Sequence, residues 1–179
     1  MDNNTLNEPI RNICDSKGFI NSVYPCTQYL TFGIWIYLVP QYVPKSVLML
    51  GFAGGTTAGL IRLFYGDIPI TGVDIGECEN LYNVDIVKAD AREYIKTCEH
   101  FDTVIIDMYE DGAFLPCDFI FHKEFADGVK KKANYIIIHA HRDSDLSAYD
   151  DIRMVKMLQL NTDRIYYFRT CEIHTLPIV

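Results

Sequence analysis

Several common protein classes are excluded by what the sequence lacks. Its six cysteines (Cys14, Cys26, Cys78, Cys98, Cys117 and Cys171) contain no C-x-x-C pair, which speaks against a zinc ribbon or a thioredoxin-type dithiol. The most apolar stretch before the middle, YLTFGIWIYLVP (29–40), falls short of the roughly 20 residues that span a bilayer. It reads as a buried core element, and no membrane partner is expected. Positive charge is scarce: 16 Lys and Arg against 24 Asp and Glu leave a net charge of −8. Such a domain repels phosphate backbones, so no nucleic-acid partner is expected. The dinucleotide fingerprint G-x-G-x-x-G is missing, because counting from Gly51 the third position is Ala53 and the sixth is Thr56. The opening MDNNTLNEPIRN is polar and mixed in charge, unlike the basic start and apolar run of a secretion signal. Reduced thiols and a cytoplasmic location are therefore expected.

What remains is a chain of 179 residues, 49% of them hydrophobic, enough for one domain with a core of its own. A single domain over 1–179 is expected, with 1–44 as a lead-in segment. From residue 45 the pattern alternates. Strands are predicted at KSVLML (45–50), IPITGVDIG (68–76), NVDIVKAD (83–90), FDTVIIDMY (101–109) and ANYIIIHAH (133–141). Helices are predicted at AGLIRLFYG (58–66), AREYIKTC (91–98), HKEFADGVKKK (122–132) and DDIRMVKMLQL (150–160). RIYYFRT (164–170) and CEIHTLPIV (171–179) are predicted to pair as a terminal hairpin. Alternation of this kind implies an α/β fold, a Rossmann-like three-layer sandwich. Its sheet is expected to be seven-stranded and mainly parallel, with an antiparallel C-terminal hairpin. The continuous apolar runs VLML, VIID and YIIIH suit buried parallel strands.

Ligands of such sheets bind beyond the carboxyl ends of the strands, where the strand order reverses. The informative residues are therefore Gly51, Asp74, Asp90, Asp107 and His139. GFAGGTT (51–57) is a glycine-rich strand-to-helix turn through which backbone N–H groups can approach a ligand; a plain tight turn is the alternative. Asp74 follows Gly51 at about the 20-residue distance at which an acid can accept from both ribose hydroxyls. Capping a helix or lying solvated in a loop is its alternative. Asp90 and Asp107 close the next two strands. Three acids on one rim with a glycine turn point to an adenosine-type ligand that carries no phosphate, because a pyrophosphate would be repelled.

On VLMLGFAGGTT (47–57), GVDIG (72–76), KADAREYI (88–95), FDTVIIDMYEDGA (101–113) and FIFHKEF (119–125), the chain resembles the S-adenosylmethionine-dependent methyltransferases. This is the class I, Rossmann-like superfamily, and its spermidine-synthase-like branch is the most similar. The resemblance implies a donor, S-adenosylmethionine or its decarboxylated form, and no metal. It places Gly51, Ala53, Gly54 and Gly55 against the methionine part and ribose. Asp74, with Ile75 after it, falls at the ribose hydroxyls, and Asp90 with Ala91 at the adenine edge. Asp107 matches the strand-four acid that helps to deprotonate an attacking amine, and it also borders the donor. Tyr109 and Glu110 become acceptor-side catalytic candidates. A small-molecule acceptor is expected, an amine among the candidates, and a homodimer is compatible with the apolar lead-in.

Certain departures refine the expectation. Met49 stands where many methyltransferases carry an acid, and an aliphatic residue there is common in the aminopropyltransferase-like branch. Ala53 replaces a usual glycine. ECENLY (77–82) is too short for the usual helix between the second and third strands. The loop after Asp107 reads MYEDGAFLP rather than a proline- and glycine-rich segment. Methyl transfer is thus the first expectation and aminopropyl transfer the second. A non-catalytic binding module of the same fold is the third.

Other motifs have simpler readings. HAHRDSD (139–145) has the His-x-His-x-Asp spacing of a hydrolytic metal motif, but Ser144 stands where a further His is needed. His139 is expected either to be buried or to line the acceptor pocket. Lys130, Lys131 and Lys132 suit a solvated helix end. Tyr24, Tyr29 and Trp35 are expected in the core, with covering the nucleotide as the alternative.

Overall fold

The structure is a computed structural model, and it describes residues 34–78, 82–110 and 115–170. Seven strands form one sheet: β1 (Val47–Leu50), β2 (Ile70–Asp74), β3 (Asp85–Lys88), β4 (Phe101–Ile106), β5 (Ala133–His141), β6 (Arg153–Leu160) and β7 (Asp163–Arg169). Their order is β3-β2-β1-β4-β5-β7-β6. The first five run parallel, and β7 is antiparallel to both β5 and β6. Among the described residues three α-helices flank the sheet: α1 (Thr56–Tyr65), α2 (Ala91–Thr97) and α3 (Lys123–Lys132). The α/β sandwich expected from the alternation is the one observed.

The period-two alternation of strand side chains divides the interior between two faces. Leu48, Leu50, Val104, Ile106, Ile136 and Ile138 point to one core, shared with α2 and α3. Val47, Met49, Ile105 and Ile137 point to the other, under α1 and the 3-10 turn Ile34–Leu38. Trp35 is buried in that second core; Tyr24 and Tyr29 lie outside the described residues. All four residues of β1 are buried, as a central parallel strand requires.

The C-terminal region corrects one expectation. Residues 153–160 are strand β6 rather than part of a helix, and β6, not 171–179, is the hairpin partner of β7. Residues 171–179 lie outside the described residues. Met154, Met157 and Leu158 do have helical spacing, but Leu158 and Leu160 also share one face of a strand and pack on the core. The turn decides between the two periods. Leu160 pairs with Asp163 across two residues, and Asn161 takes φ 36°, the left-handed geometry that a tight hairpin accepts from Asn. Instead of a helix, the β5–β6 crossover carries a single 3-10 turn, Ser147–Tyr149. Tyr149 is fully buried there, stacks on Phe168 and donates to the Ile120 carbonyl at 2.8 Å.

Lys130 also departs from expectation. Its side chain is only 9% exposed. Its ammonium reaches Asp127 at 2.8 Å, Asp151 at 2.6 Å and the Ala148 carbonyl at 3.0 Å. Burial pulls its pKa down, but the hydrogen bonds to the two carboxylates outweigh this and the net shift is upward. Lys130 therefore ties α3 to the crossover, while Lys131 remains exposed.

Among the described residues of the short β2–β3 connection there is no helix. Tyr82 lies over α1 instead: a Cβ on Gly59 would come within 2.6 Å of its ring. Arg62 on α1 clamps the same segment through the carbonyls of Tyr82 and Asn83, at 3.0 and 2.9 Å.

Candidate active site

The strand order reverses between β1 and β4, the position at which open α/β sheets bind ligands. Leu50 is in register with Val73 on one side and Ile106 on the other. The next residues, Gly51, Asp74 and Asp107, therefore emerge side by side. Gly51 has φ +84°, and a Cβ there would lie 2.2 Å from the Asp107 carbonyl oxygen. Only glycine lets the turn leave the sheet this close to β4. Gly55, at φ +71°, begins α1 with the Phe52 ring beneath it.

Asp74 organises the glycine turn. Its Oδ2 accepts from the backbone N–H groups of Phe52 and Ala53, both at 2.9 Å, and its Oδ1 accepts from Gly76 at 2.8 Å. Ala53 is held at φ 45°, a left-handed conformation that costs a non-glycine residue about 1 kcal/mol. The two bonds to Oδ2 offset that cost. A carboxylate offers about four acceptor positions; three are in use, so one on Oδ1 can take a ligand hydroxyl. Ile75 beside it is 74% exposed, and Gly54 is partly exposed on the turn.

Asp90 is committed differently. It caps α2 by accepting from the Arg92 N–H at 2.8 Å, and the Arg92 guanidinium grips the same carboxylate at 2.5 Å. The hydrogen bond from the Arg92 side chain holds the carboxyl below its ordinary range. Arg92 in turn lies 5.0 Å above the Phe119 ring. Ala91 is buried in the core below.

Across the switch point the side chains form a connected chain. Ile106 is in register with Ile138, so Asp107 and His139 are neighbours. His139 Nδ1 lies 2.8 Å from Asp107 Oδ1, and its Nε2 lies 2.8 Å from the Tyr109 hydroxyl. The Tyr109 ring also packs on the imidazole, with centroids 4.8 Å apart. His139 is 7% exposed. Asp163, at the start of β7, brings a second carboxylate within 3.9 Å of Nε2. Tyr109 is anchored by a bridge to Pro116. Glu110 is exposed, its backbone N–H bonded to the Leu115 carbonyl, where the chain enters residues 111–114, which are outside those described.

The structure thus brings Asp107 and Tyr109 together, sets Asp74 under the glycine turn, and leaves Asp90 facing Arg92 and Glu110 facing solvent. The link through His139 was not read from the sequence. Its signal was present, since VIID and IIIH are adjacent buried runs that both end on a titratable residue. His141 reaches only Asp143, at 3.7 Å, and among the described residues no three or more His, Cys, Asp or Glu side chains are placed to hold a metal. A cleft of about 190 Å³ near Tyr37, Phe64 and Tyr167 includes none of the strand-end residues. Among the described residues no helix is long and apolar enough to cross a membrane.

No family model matches the chain, and no curated protein matches it. Solved structures do. Human methyltransferase-like protein 13, determined in complex with SAH, superposes with a TM-score of 0.62 at 15% identity, over 80% of this chain and 82% of that one. TrmN from Thermus thermophilus superposes with a TM-score of 0.61 at 14% identity, over 89% of this chain. The match spans 52% of TrmN, so the chain corresponds to about half of that protein. At these identities the likeness is one of fold: the chain has the Rossmann-like fold of methyltransferases.

Proposed function

We propose that this protein is an S-adenosylmethionine-dependent methyltransferase acting on a small molecule. Within that class we favour the spermidine-synthase-like type, on the sequence motifs and the aliphatic Met49. The observation that carries the reading is the glycine turn at the switch point, held by Asp74 and bordered by Asp107, on a fold shared with methyltransferases. The donor set fits an adenosyl ligand. Asp74 keeps one acceptor position for a ribose hydroxyl, Gly51, Gly54 and Gly55 present backbone rather than side chains, and the carboxylates suit a cationic sulfonium. When bound, the donor supplies an electrophilic methyl group. The protein's share is to align the acceptor and take up its proton, a task that suits Asp107 and Tyr109. The net charge of −8 disfavours a nucleic-acid acceptor.

A second reading, a binding module without catalysis, is favoured by the pairing of Asp90 with Arg92, which occupies the carboxylate the resemblance assigns to adenine. Calorimetric titration with S-adenosylmethionine, its demethylated product and decarboxylated S-adenosylmethionine separates these readings. Binding of the first two supports the methyltransferase. Preference for the third selects aminopropyl transfer. Binding of none moves the weight to the module.

A further inference from the structure

We infer that β6 is the docking edge for an extended acidic segment of a partner protein, which adds to the sheet there with its carboxylates against Arg153 and Lys156. Among the described residues β6 pairs only with β7 and closes one edge of the sheet. The N–H and C=O groups along its outer side are therefore open to a further strand. Its first five residues are exposed, and Met154, Val155 and Met157 are 55%, 57% and 44% accessible.

The side chains of this edge are sorted by a bulge. In a regular strand, residues three apart point to opposite faces. The irregularity between Met154 and Lys156 changes that, because Arg153 lies opposite Arg169 and Lys156 opposite Tyr167. Arg169 and Tyr167 are two apart on β7, so Arg153, Lys156 and Arg169 share one face. The other face presents Met154 opposite Phe168 and Met157 opposite Tyr166. Aromatic rings back the cations: Lys156 Nζ is 5.7 Å from the Tyr167 ring centre, and the Arg169 guanidinium is 5.3 Å from that of Tyr135. Among the described residues none of the three cations is in an ion pair, and Arg169 Nε is buried without a hydrogen-bond partner. Like charges directly opposite each other destabilise a strand pair. A carboxylate laid beside Arg153 relieves that repulsion.

Charge complementarity selects the occupant. A cation on an edge strand is a common guard against self-pairing. A guard alone needs neither the facing Arg169 nor a bulge that aligns Arg153 with Lys156. A second copy would bring the cations of two β6 edges together, between molecules that each carry a net charge of −8, so both terms oppose it. A strand that alternates acidic and apolar residues fits both faces. Its carboxylates lie beside Arg153 and Lys156, and its apolar side chains lie beside Met154 and Met157. In strand addition the backbone hydrogen bonds supply affinity and the alternate side chains supply specificity.

The test is fluorescence anisotropy of labelled peptides with the full chain. The probe is acetyl-EVEVEVE-amide. One control is acetyl-EEEEVVV-amide, which has the same composition and charge without the alternation. The other is the probe N-methylated at its fourth and fifth residues, which blocks both of its backbone edges. The probe should bind and both controls should not. Arg153→Ala with Lys156→Ala should weaken the probe about tenfold, the scale of two exposed ion pairs. Both side chains are exposed, so that variant should keep the parent's circular dichroism. Failure of the probe to bind, equal binding of either control, or unchanged affinity in the double variant would each overturn the inference. A dimer of the parent that dissociates in the double variant, seen by sedimentation velocity, would give the edge to a second copy and overturn it as well.

Discussion

The two sides of the switch point use their carboxylates for different ends. On the β1–β2–β3 side, Asp74 and Asp90 are engaged by the protein itself, one by the backbone of the glycine turn and the other by Arg92. On the β4–β5–β7 side, Asp107 is engaged by a titratable partner that is bonded in turn to a phenol. The first side is preorganised: its hydrogen bonds fix the backbone shape of the glycine turn. The second side is responsive, because its bonds join groups that can exchange protons. An acid at a strand end is therefore not one kind of residue, and its partner decides whether it fixes the backbone or joins a chain of titratable groups.

Mutation separates the two sides. The largest effect is expected from Asp74→Ala, which removes the acceptor for Phe52, Ala53 and Gly76 together. Leaving those donors unpaired costs about 2 kcal/mol, and donor affinity should fall at least a hundredfold by calorimetry. Affinity within a few fold of the parent would show that the turn does not depend on Asp74. Asp107→Asn should do the reverse: affinity for S-adenosylhomocysteine, which lacks the sulfonium charge, stays within threefold while turnover falls about a hundredfold, the usual scale of general-base loss. Equal loss of both in this variant would erase the distinction between the sides.

Smaller effects sharpen it. Asp90→Ala removes an N-cap and should cost about 1 kcal/mol in denaturant unfolding. Ala53→Gly should raise stability by about 0.5 kcal/mol, since glycine relieves the left-handed strain but has more freedom to lose on folding. The pH dependence of unfolding follows from the ion pairs. Asp90 has its folded pKa lowered by Arg92, Asp127 by Lys130 and Lys123, and Asp151 by Lys130. Their contribution is complete above the ordinary carboxylate pKa of about 4 and is lost as pH falls through the folded values. Lys130, raised on balance, contributes fully below about 10.5 and loses its contribution as pH climbs through its folded value. Thermal unfolding scanned against pH should show a plateau between these limits. In Lys130→Met the acid-side loss should be shallower.

Much of the fold was legible because its strands are unambiguous. VLML and VIID are continuous apolar runs closed by Gly51 and Asp107, and ANYIIIHAH was placed at its observed bounds. β6 was not legible, because Met154, Met157 and Leu158 fit a helical period while Leu158 and Leu160 fit an alternating one. Pairing with β7, which a local pattern does not contain, settles it. In the site, residue types at strand ends could be read, but not their partners. That Asp90 turns to Arg92 depends on side-chain rotamers, and that His139 meets Asp107 depends on the β4–β5 register. Lys130 shows the same limit: a triple-lysine helix end looks solvated until the crossover that buries one of them is in place.

Calorimetric titration of the full chain with S-adenosylhomocysteine, beside Asp74→Ala and Asp107→Asn, bears most directly on the proposed donor site. The expected result is stoichiometric binding by the parent and by Asp107→Asn, with binding lost in Asp74→Ala. Absence of binding by the parent, or equal binding by all three, would contradict the assignment of the glycine turn as the donor site.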